Sequence, residues 1–269
     1  MKYVLTLMVF VSGLAHGVTC TNLPAGAAAL GYTTQLFYDQ PTVAEVSTTD
    51  TDSISKWYPG TDANPVTHNL AQLEFLSMQN SELTIAPGGG ITSETHASKP
   101  GALPFLSGAQ GFYVEIAMHL SSNDSDHFIG LFLQTAEHDL AKDDHLSTDP
   151  AGFERWTEID ISESGYGPGS LSSVMNWLGT WPHYGPNVIN NYGKEAALDW
   201  TKEHRFGVSY DPATDVLQYY IDDEPTFKTV PPPNDVIKLF HYYLVMEAGS
   251  HGSHIPYDMF IHYVTAYTK

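Results

Sequence analysis

Three carboxylates in the short stretch 158–163, Glu-Ile-Asp-Ile-Ser-Glu, could carry acid–base or nucleophilic chemistry. Glu158 and Asp160 alternate with Ile159 and Ile161. Successive side chains of a β-strand point to opposite faces. The alternation therefore predicts a strand that turns both isoleucines toward a core and both carboxylates toward the other face.

The third acid, Glu163, does not fit this alternation, because it follows Glu158 by five residues. One extra residue at Ser162, forming a β-bulge, would return Glu163 to the acid face. Carboxylates that share one face repel one another and titrate as a coupled set. Ordinary folding does not favour such an arrangement, so the pattern points to function.

Hydrolysis of a glycosidic bond needs two carboxyl groups, one ionised and one protonated. In this interpretation Glu158 is the nucleophile, Glu163 is the general acid and then the general base, and Asp160 holds their protonation states apart. Retaining enzymes place the two carboxyl groups about 5–5.5 Å apart, whereas five residues of extended strand span roughly 16 Å. Both glutamates must therefore lean inward over Asp160. On alternation alone, an acidic, solvated strand face explains the pattern equally well.

The acid motif resembles the Glu-x-Asp-x-x-Glu signature of glycoside hydrolase family 16, whose members carry it on a bulged strand. The preceding Arg155-Trp156 and the following segment 165–169 also fit that neighbourhood. The similarity runs in order from about residue 36 to 268. Its other segments are 54–58, 111–120 with a matching Glu115, 216–225, and 259–267. In 216–225, Asp223 stands where the family usually has glycine, and because aspartate tolerates positive φ better than most residues, we expect the turn there to be kept. The tryptophan that ends the family's apolar strand is absent after Leu133.

The pattern of elements predicts an all-β protein. Many short strands are separated by Gly and Pro, and helical periodicity is nearly absent, which indicates a two-sheet β-sandwich. The resemblance implies a jelly roll with a concave active-site sheet. We expect a catalytic domain at 34–269, an N-terminal lead-in at 18–33 and a signal peptide at 1–17.

Aromatic residues near the acid strand are candidates for substrate binding. Trp177 and Trp181 are four apart, so a strand would place them on one face, where flat rings could stack on sugars or pack in the core. Trp156, beside the acid motif, is a further candidate. His183 could donate a hydrogen bond to a sugar hydroxyl or a catalytic carboxylate, as could Asn176, although a structural role is expected for either alone.

The charge balance limits the classes of molecule that the protein is expected to bind. The chain has 11 Lys and Arg against 31 Asp and Glu, a formal net charge of -20. Such a surface disfavours nucleic acid, anionic membranes, and sulfated or uronic polysaccharides, and it suits a neutral glycan. Lys2, the apolar run 3–14 and the small residues around His16 predict a secretory signal, so we expect a secreted protein. Cys20 is the single cysteine and cannot form an internal disulfide.

Metal and cofactor requirements are expected to be absent from catalysis. His251 and His254 form the tightest histidine pair but lack a partner at zinc-like spacing. His138 and His145 lie among three acids that could hold a cation, namely Asp139, Asp143 and Asp144. The resemblance leaves room for a structural calcium ion, as in some family members.

The resemblance implies a secreted retaining endo-glycosidase that cleaves β-1,3- or β-1,3/1,4-linked glucan. A transglycosylase would use the same acids with a sugar hydroxyl in place of water. A lectin-like module of the same fold would bind glycans without catalysis. A lyase on a similar jelly roll would need a cationic cleft, which the charge balance disfavours. No motif reports the oligomeric state.

Overall fold

A computed structural model describes residues 23–47, 56–60, 70–93, 103–124, 126–138, 144, 146–180, 189–230, 236–249 and 257–269. The predicted signal peptide, Cys20, Trp181, His183, His145, His251 and His254 lie outside the described residues. No helix within the described ranges is long and apolar enough to span a membrane.

The described residues form sixteen β-strands, one short α-helix and three 3-10 turns. Helix α1 covers Ala25–Ala29, and the 3-10 turns cover Val43–Glu45, Leu70–Phe75 and Ile237–Leu239. In chain order the strands are β1 (Thr34–Asp39), β2 (Trp57–Pro59), β3 (Leu76–Gln79), β4 (Glu82–Ile85), β5 (Gly89–Ser93), β6 (Leu106–Ser107), β7 (Phe112–Leu120), β8 (Gly130–Thr135), β9 (Glu154–Glu163), β10 (Gly169–Gly179), β11 (Ile189–Ala197), β12 (His204–Asp211), β13 (Val216–Ile221), β14 (Glu224–Thr229), β15 (His241–Ala248) and β16 (Met259–Thr268).

Two antiparallel sheets of eight strands each make a sandwich, which confirms the predicted all-β jelly roll. The first sheet has the order β14-β13-β12-β7-β16-β4-β3, with β1 also paired to β16. The second has the order β11-β10-β9-β8-β15-β5-β2, with β6 also paired to β15. The acid strand β9 is therefore an inner strand of the second sheet, with neighbours on both sides to fix its register.

The main core fills the space between the sheets. Ile159 and Ile161 are 0% and 1% exposed and belong to this core, as the alternation predicted. They share it with Val114 and Ile116 of β7 in the opposite sheet. Full burial of one such side chain stabilises a fold by about 1.5–3 kcal/mol, so the isoleucines anchor β9 and fix the direction of its acids.

The segment predicted as a lead-in contains helix α1, which packs on the first sheet. Buried Ala27 packs with four tyrosines, namely Tyr32, Tyr113, Tyr220 and Tyr267. The Ala25 backbone N–H donates a 2.8 Å hydrogen bond to Asp223. A five-residue helix is too short to be stable alone, so these contacts hold it.

The turn between β13 and β14 tests a prediction about Asp223, which stands where the family has glycine. Asp222 and Asp223 have φ angles of 54° and 69°. Asp adopts positive φ more readily than most residues. The hairpin is formed, so the expectation that aspartate would preserve this turn is confirmed.

Candidate active site

The three acids lie on one face of β9, opposite the core isoleucines. Asp160 is 1% exposed, while Glu158 and Glu163 are half-buried. Across the sheet, Asp160 is paired with Phe132 of β8 and Ser173 of β10. Directly paired residues share a face, so these neighbours line the same acid face.

A β-bulge brings Glu163 onto the acid face. On β8, Leu131 is opposite Ser162, but the next residue, Phe132, is opposite Asp160, so β9 has one extra residue there. The pairing with β10 shifts at the same place. Glu163 is then opposite Gly130. The bulge predicted near Ser162 is confirmed.

Two side chains from neighbouring strands orient Glu158. Tyr243, Gln134 and Glu158 lie in one row across β15, β8 and β9. The Tyr243 hydroxyl donates to Gln134 Oε1 at 2.7 Å, and Gln134 Nε2 donates to Glu158 Oε2 at 3.2 Å. Because tyrosine is the donor in the first bond, the amide turns its NH₂ group toward the carboxylate. Gln134 is a site residue that the sequence analysis missed.

Asp160 is held from the other side by Ser173, whose hydroxyl donates to its carboxylate. Tyr219 of the first sheet donates a 2.6 Å hydrogen bond to the Ser173 carbonyl. Complete burial, and then the charge of Asp160, raise the pKa of Tyr219 well above its usual value. Tyr219 therefore stays protonated and remains a donor. These contacts fix Asp160 between the two glutamates.

Tyr166 lies beyond Glu163 and is 44% exposed. Its pKa is raised by partial burial and then by the charges of Glu163, Asp160 and Glu158, in that order. The phenol therefore lies within the field of all three acids. Its ring meets Phe128 edge-on, with centroids 6.5 Å apart. Sequence reasoning included Tyr166 in the matching neighbourhood but gave it no role.

Trp156 and Trp177 are paired across β9 and β10, and their rings stack at 4.9 Å with an interplanar angle of 6°. His138, which follows β8 on the other flank, stacks on Trp156 at 4.9 Å and 16°. Trp156 thus lies between two rings. The sequence made Trp156 a candidate for substrate binding. A sugar could stack on a face of its ring only by displacing His138 or Trp177. Asn176 is fully buried and accepts a 2.8 Å hydrogen bond from Thr157, so it has the expected structural role.

His138 is held in this stack by Asp144, at 2.6 Å. Burial acts to raise the pKa of Asp144. Hydrogen bonds from His138 and from the Arg155 backbone N–H nevertheless hold this pKa below its usual value. Two of the five residues considered for a cation, His138 and Asp144, thus form a hydrogen-bonded pair that supports the tryptophans. Asp139, Asp143 and His145 lie outside the described residues.

One group in the described part of the chain could hold a metal ion, and it is on the other sheet. Ligand atoms of Glu82, Glu203 and His262 all lie within 4.8 Å of one another. Calcium prefers six to eight oxygen ligands, so a set of this size that includes an imidazole does not fit it. The structural calcium stays a prediction.

A cavity of about 830 Å³ also lies away from the acids. It is on the outer side of the first sheet and is lined by α1 and by strands β12 to β14. Its residues include Tyr220 and Lys228 but none of the second sheet. Cavity size therefore does not mark the candidate active site; the paired acids do.

Solved structures resemble this chain in fold. A variant of LamA from Zobellia galactanivorans, in complex with laminaritriose and laminaritetraose, matches with a TM-score of 0.58 and 15% identity over 88% of this chain and 100% of its own. SCLam, a non-specific endo-β-1,3(4)-glucanase from glycoside hydrolase family 16, matches with a TM-score of 0.55 and 14% identity over 87% of this chain and 94% of its own. The chain has the fold of the family 16 glucanases. A protein from the human gut microbiota, described in work on endo-acting O-glycanases, matches with a TM-score of 0.52 and 16% identity over 88% of this chain and 100% of its own.

No protein-family profile and no curated protein matches the sequence. The resemblance to family 16 is confirmed by the fold, which the chain shares with the solved structures above. Phe132 lies opposite Asp160, close to the position after Leu133 where this chain lacks the family's tryptophan. It packs with Val245 and Tyr243 in an apolar cluster separate from the main core. An aromatic ring thus still lines that part of the acid face.

Proposed function

We propose that this protein is a retaining endo-β-glucanase that acts on β-1,3- or β-1,3/1,4-linked glucan. The observation that carries the proposal is the bulge in β9, which turns Glu158, Asp160 and Glu163 to one face. A merely solvated acidic strand would not need a bulge to gather its charges. The fold shared with a family 16 endo-β-1,3(4)-glucanase supports the same reaction class.

In the proposed reaction, the Glu163 carboxyl gives its proton to the glycosidic oxygen while a Glu158 oxygen attacks the anomeric carbon. The bond from that carbon to the leaving oxygen breaks, and a glycosyl ester forms on Glu158. Glu163, now ionised, takes a proton from water, which attacks the anomeric carbon and frees Glu158. The hydrogen bond from Gln134 to Oε2 fixes the orientation in which the Glu158 carboxylate attacks.

An endo mode of cleavage is supported by aromatic residues at both ends of the acid row. Trp177, which stacks on Trp156, lies beyond the Glu158 end, and Phe128 and Tyr166 lie beyond the Glu163 end. Sugar units could thus be bound on both sides of the bond that is cut. The oligosaccharides bound to LamA support a β-1,3-linked chain, and the net charge of -20 disfavours anionic glycans. The features of residues 1–17 support secretion as part of this proposal.

The test is reducing-end release by the purified protein on laminarin, lichenan, xyloglucan, agarose and mucin glycoprotein. We expect release on laminarin or lichenan, and losses of several orders of magnitude in Glu158→Gln and Glu163→Gln with the fold intact. Glu224→Gln, an exposed position on the first sheet, is the charge-matched control. NMR of the first product should show the β-anomer.

Four other outcomes separate the alternatives or refute the assignment. Binding to a glucan without release of reducing ends would indicate the lectin-like module. Longer products with an added acceptor sugar would indicate a transglycosylase. Full activity in either glutamine variant would refute the assignment of that acid. Release from mucin alone would replace the glucan substrate with an O-glycan.

A further inference from the structure

A fourth carboxylate, Glu247, lies in the same cross-strand row as Glu163. Glu247 of β15 is paired with Gly130 of β8, and Gly130 is paired with Glu163 of β9. The two glutamates are therefore separated by one strand, whose residue in that row, Gly130, has no side chain of its own. Neighbouring strands are about 4.8 Å apart, so the two backbones are roughly 10 Å apart across Gly130.

Glu247 points to the acid face. Tyr243 and Val245, which alternate with it along β15, belong to the cluster formed around Phe132, whereas Leu244 and Met246 belong to the main core. Side chains two residues apart on a strand share a face. Glu247 thus shares the face of the catalytic acids.

The absent side chain at Gly130 leaves room for Glu247. A Cβ at residue 130 would lie 3.3 Å from Glu247 Cγ and 2.9 Å from Phe132 Cε1. The Glu247 side chain and the edge of the Phe132 ring therefore both lie over Gly130, and Glu247 extends from β15 toward the Glu163 side of the row. Glu247 is only 9% exposed. Its charge is thus screened by solvent much less than a surface charge would be.

A phenol, Tyr257, is among the described groups near this pair. Burial, and then the charge of Glu247, raise the pKa of Tyr257, so this phenol stays neutral. Its hydroxyl donates to the Gly249 carbonyl at 2.7 Å. Among the described residues, the titratable groups near Glu163 include Glu247 from β15, Asp160 and Glu158 from its own strand, and Tyr166 from the following turn. His127 is a further one, since its Nδ1 is 2.8 Å from the hydroxyl of Ser164 and its ring lies 5.1 Å from that of Tyr257.

We propose that Glu247 is a positioning residue whose negative charge keeps the proton on Glu163 in the free enzyme. This inference rests on the proposed function, in which Glu163 must be protonated before substrate is cleaved. A like charge nearby disfavours ionisation. Asp160 lies between the two catalytic glutamates and acts on both, whereas Glu247 lies on the Glu163 side. Glu247 thus distinguishes the acid from the nucleophile.

The direct test is an NMR titration of glutamate carboxyl carbons in the full chain, with the Glu163 signal assigned by its loss in Glu163→Gln. In Glu247→Gln we expect the Glu163 titration midpoint to fall by roughly one pH unit, as for two charges roughly 8–10 Å apart at an effective dielectric constant of about 30. Glu247→Asp keeps the charge and should restore most of the midpoint. Glu224→Gln should leave it unchanged.

The kinetic readout is the pH dependence of kcat/KM on laminarin. The alkaline limb should move to lower pH in Glu247→Gln by the same amount as the midpoint, with activity on the acid side retained. An unchanged Glu163 midpoint would overturn the proposal, as would an equal loss of kcat/KM at every pH, which would indicate a substrate-binding role. The NMR titration decides the question even if no glucan is cleaved, so failure of the proposed function is seen separately.

Discussion

Gln134 Nε2 lies 3.2 Å from Glu158 Oε2, so an uncharged amide from the adjacent strand holds one oxygen of the proposed nucleophile. Gln134 is only 4% exposed, and the Tyr243 hydroxyl fixes its orientation. This contact directs the carboxylate without neutralising its charge. A lysine or arginine there would hold the oxygen more strongly and make Glu158 a weaker nucleophile.

Replacement of Gln134 by leucine should lower kcat on laminarin by roughly 10- to 100-fold, because a hydrogen bond to a charged group contributes about 1.5–3 kcal/mol. KM should change little, since the amide contacts the nucleophile and not the glucan in this mechanism. Tyr243→Phe removes only the bond that orients the amide and should have a smaller effect in the same direction. A rise in KM with unchanged kcat in Gln134→Leu would show that the amide binds substrate instead.

The acid motif was predictable because its information is local. Alternation fixes the faces of Glu158 and Asp160, and the offset of Glu163 indicates a bulge within the same few residues. Gln134 and Tyr243 were not predictable in this way, because they are 109 residues apart in the chain. Which residue stands opposite which depends on the register between distant strands, and that register is fixed only by packing of the whole sandwich.

The tryptophans show the same limit. Spacing along one strand suggested a shared face for Trp177 and Trp181, while the cross-strand register brings Trp177 against Trp156. Helix α1 was missed because five small residues carry little helical signal, and tertiary contacts with the tyrosine cluster supply its stability. The turn at Asp223 was predictable, because tolerance of positive φ is a property of aspartate itself.

Trp177→Ala should raise KM for laminarin by up to about tenfold with a smaller change in kcat, because loss of a ring contact costs about 0.5–1.5 kcal/mol of binding. Trp177→Phe keeps a ring and should retain most of the affinity. Thermal unfolding must be measured beside the kinetics, because Trp177 also stacks on Trp156. Unchanged KM in the folded alanine variant would contradict a role for Trp177 in substrate binding.

His127 should make the fold less stable in mild acid. It is 1% exposed, its Nδ1 is 2.8 Å from the Ser164 hydroxyl, and burial lowers its pKa below the usual value of 6.5. The neutral ring is therefore favoured in the folded state. The stability that follows is fully present above pH 6.5 and is lost as pH falls through the folded-state pKa, because the unfolded chain takes up a proton first.

The measurement is urea unfolding of the wild type and His127→Gln between pH 5 and pH 8. The wild type should lose more free energy of unfolding on acidification than the variant, even if the variant is less stable at pH 8. The comparison between the two chains removes the contributions of other groups, such as buried Glu115, which titrate in both. Parallel pH dependences would show that His127 does not contribute.

Lys56 links β2 to the N-terminal strand, since its ammonium group donates to Asp39 and, at 2.6 Å, to Glu45. Trp57 Nε1 also donates to Asp39, at 2.6 Å. Burial raises the pKa of Asp39 even though these donors act to lower it. Lys56→Met should lower the free energy of unfolding by about 1–3 kcal/mol at pH 7, because it leaves a carboxylate buried without its cation while Lys56 itself is partly solvated.

The loss in Lys56→Met should shrink as the solution is acidified toward pH 4, because protonation of Asp39 removes the buried charge. The sign follows from the raised pKa: the folded state binds the proton more tightly than the unfolded chain, so acid relieves the cost. Lys202→Met, whose partner Asp199 lies on the surface, is the matched control and should change stability little at either pH. An equal loss at pH 7 and pH 4 would assign the effect of Lys56 to packing of its alkyl chain instead of its charge.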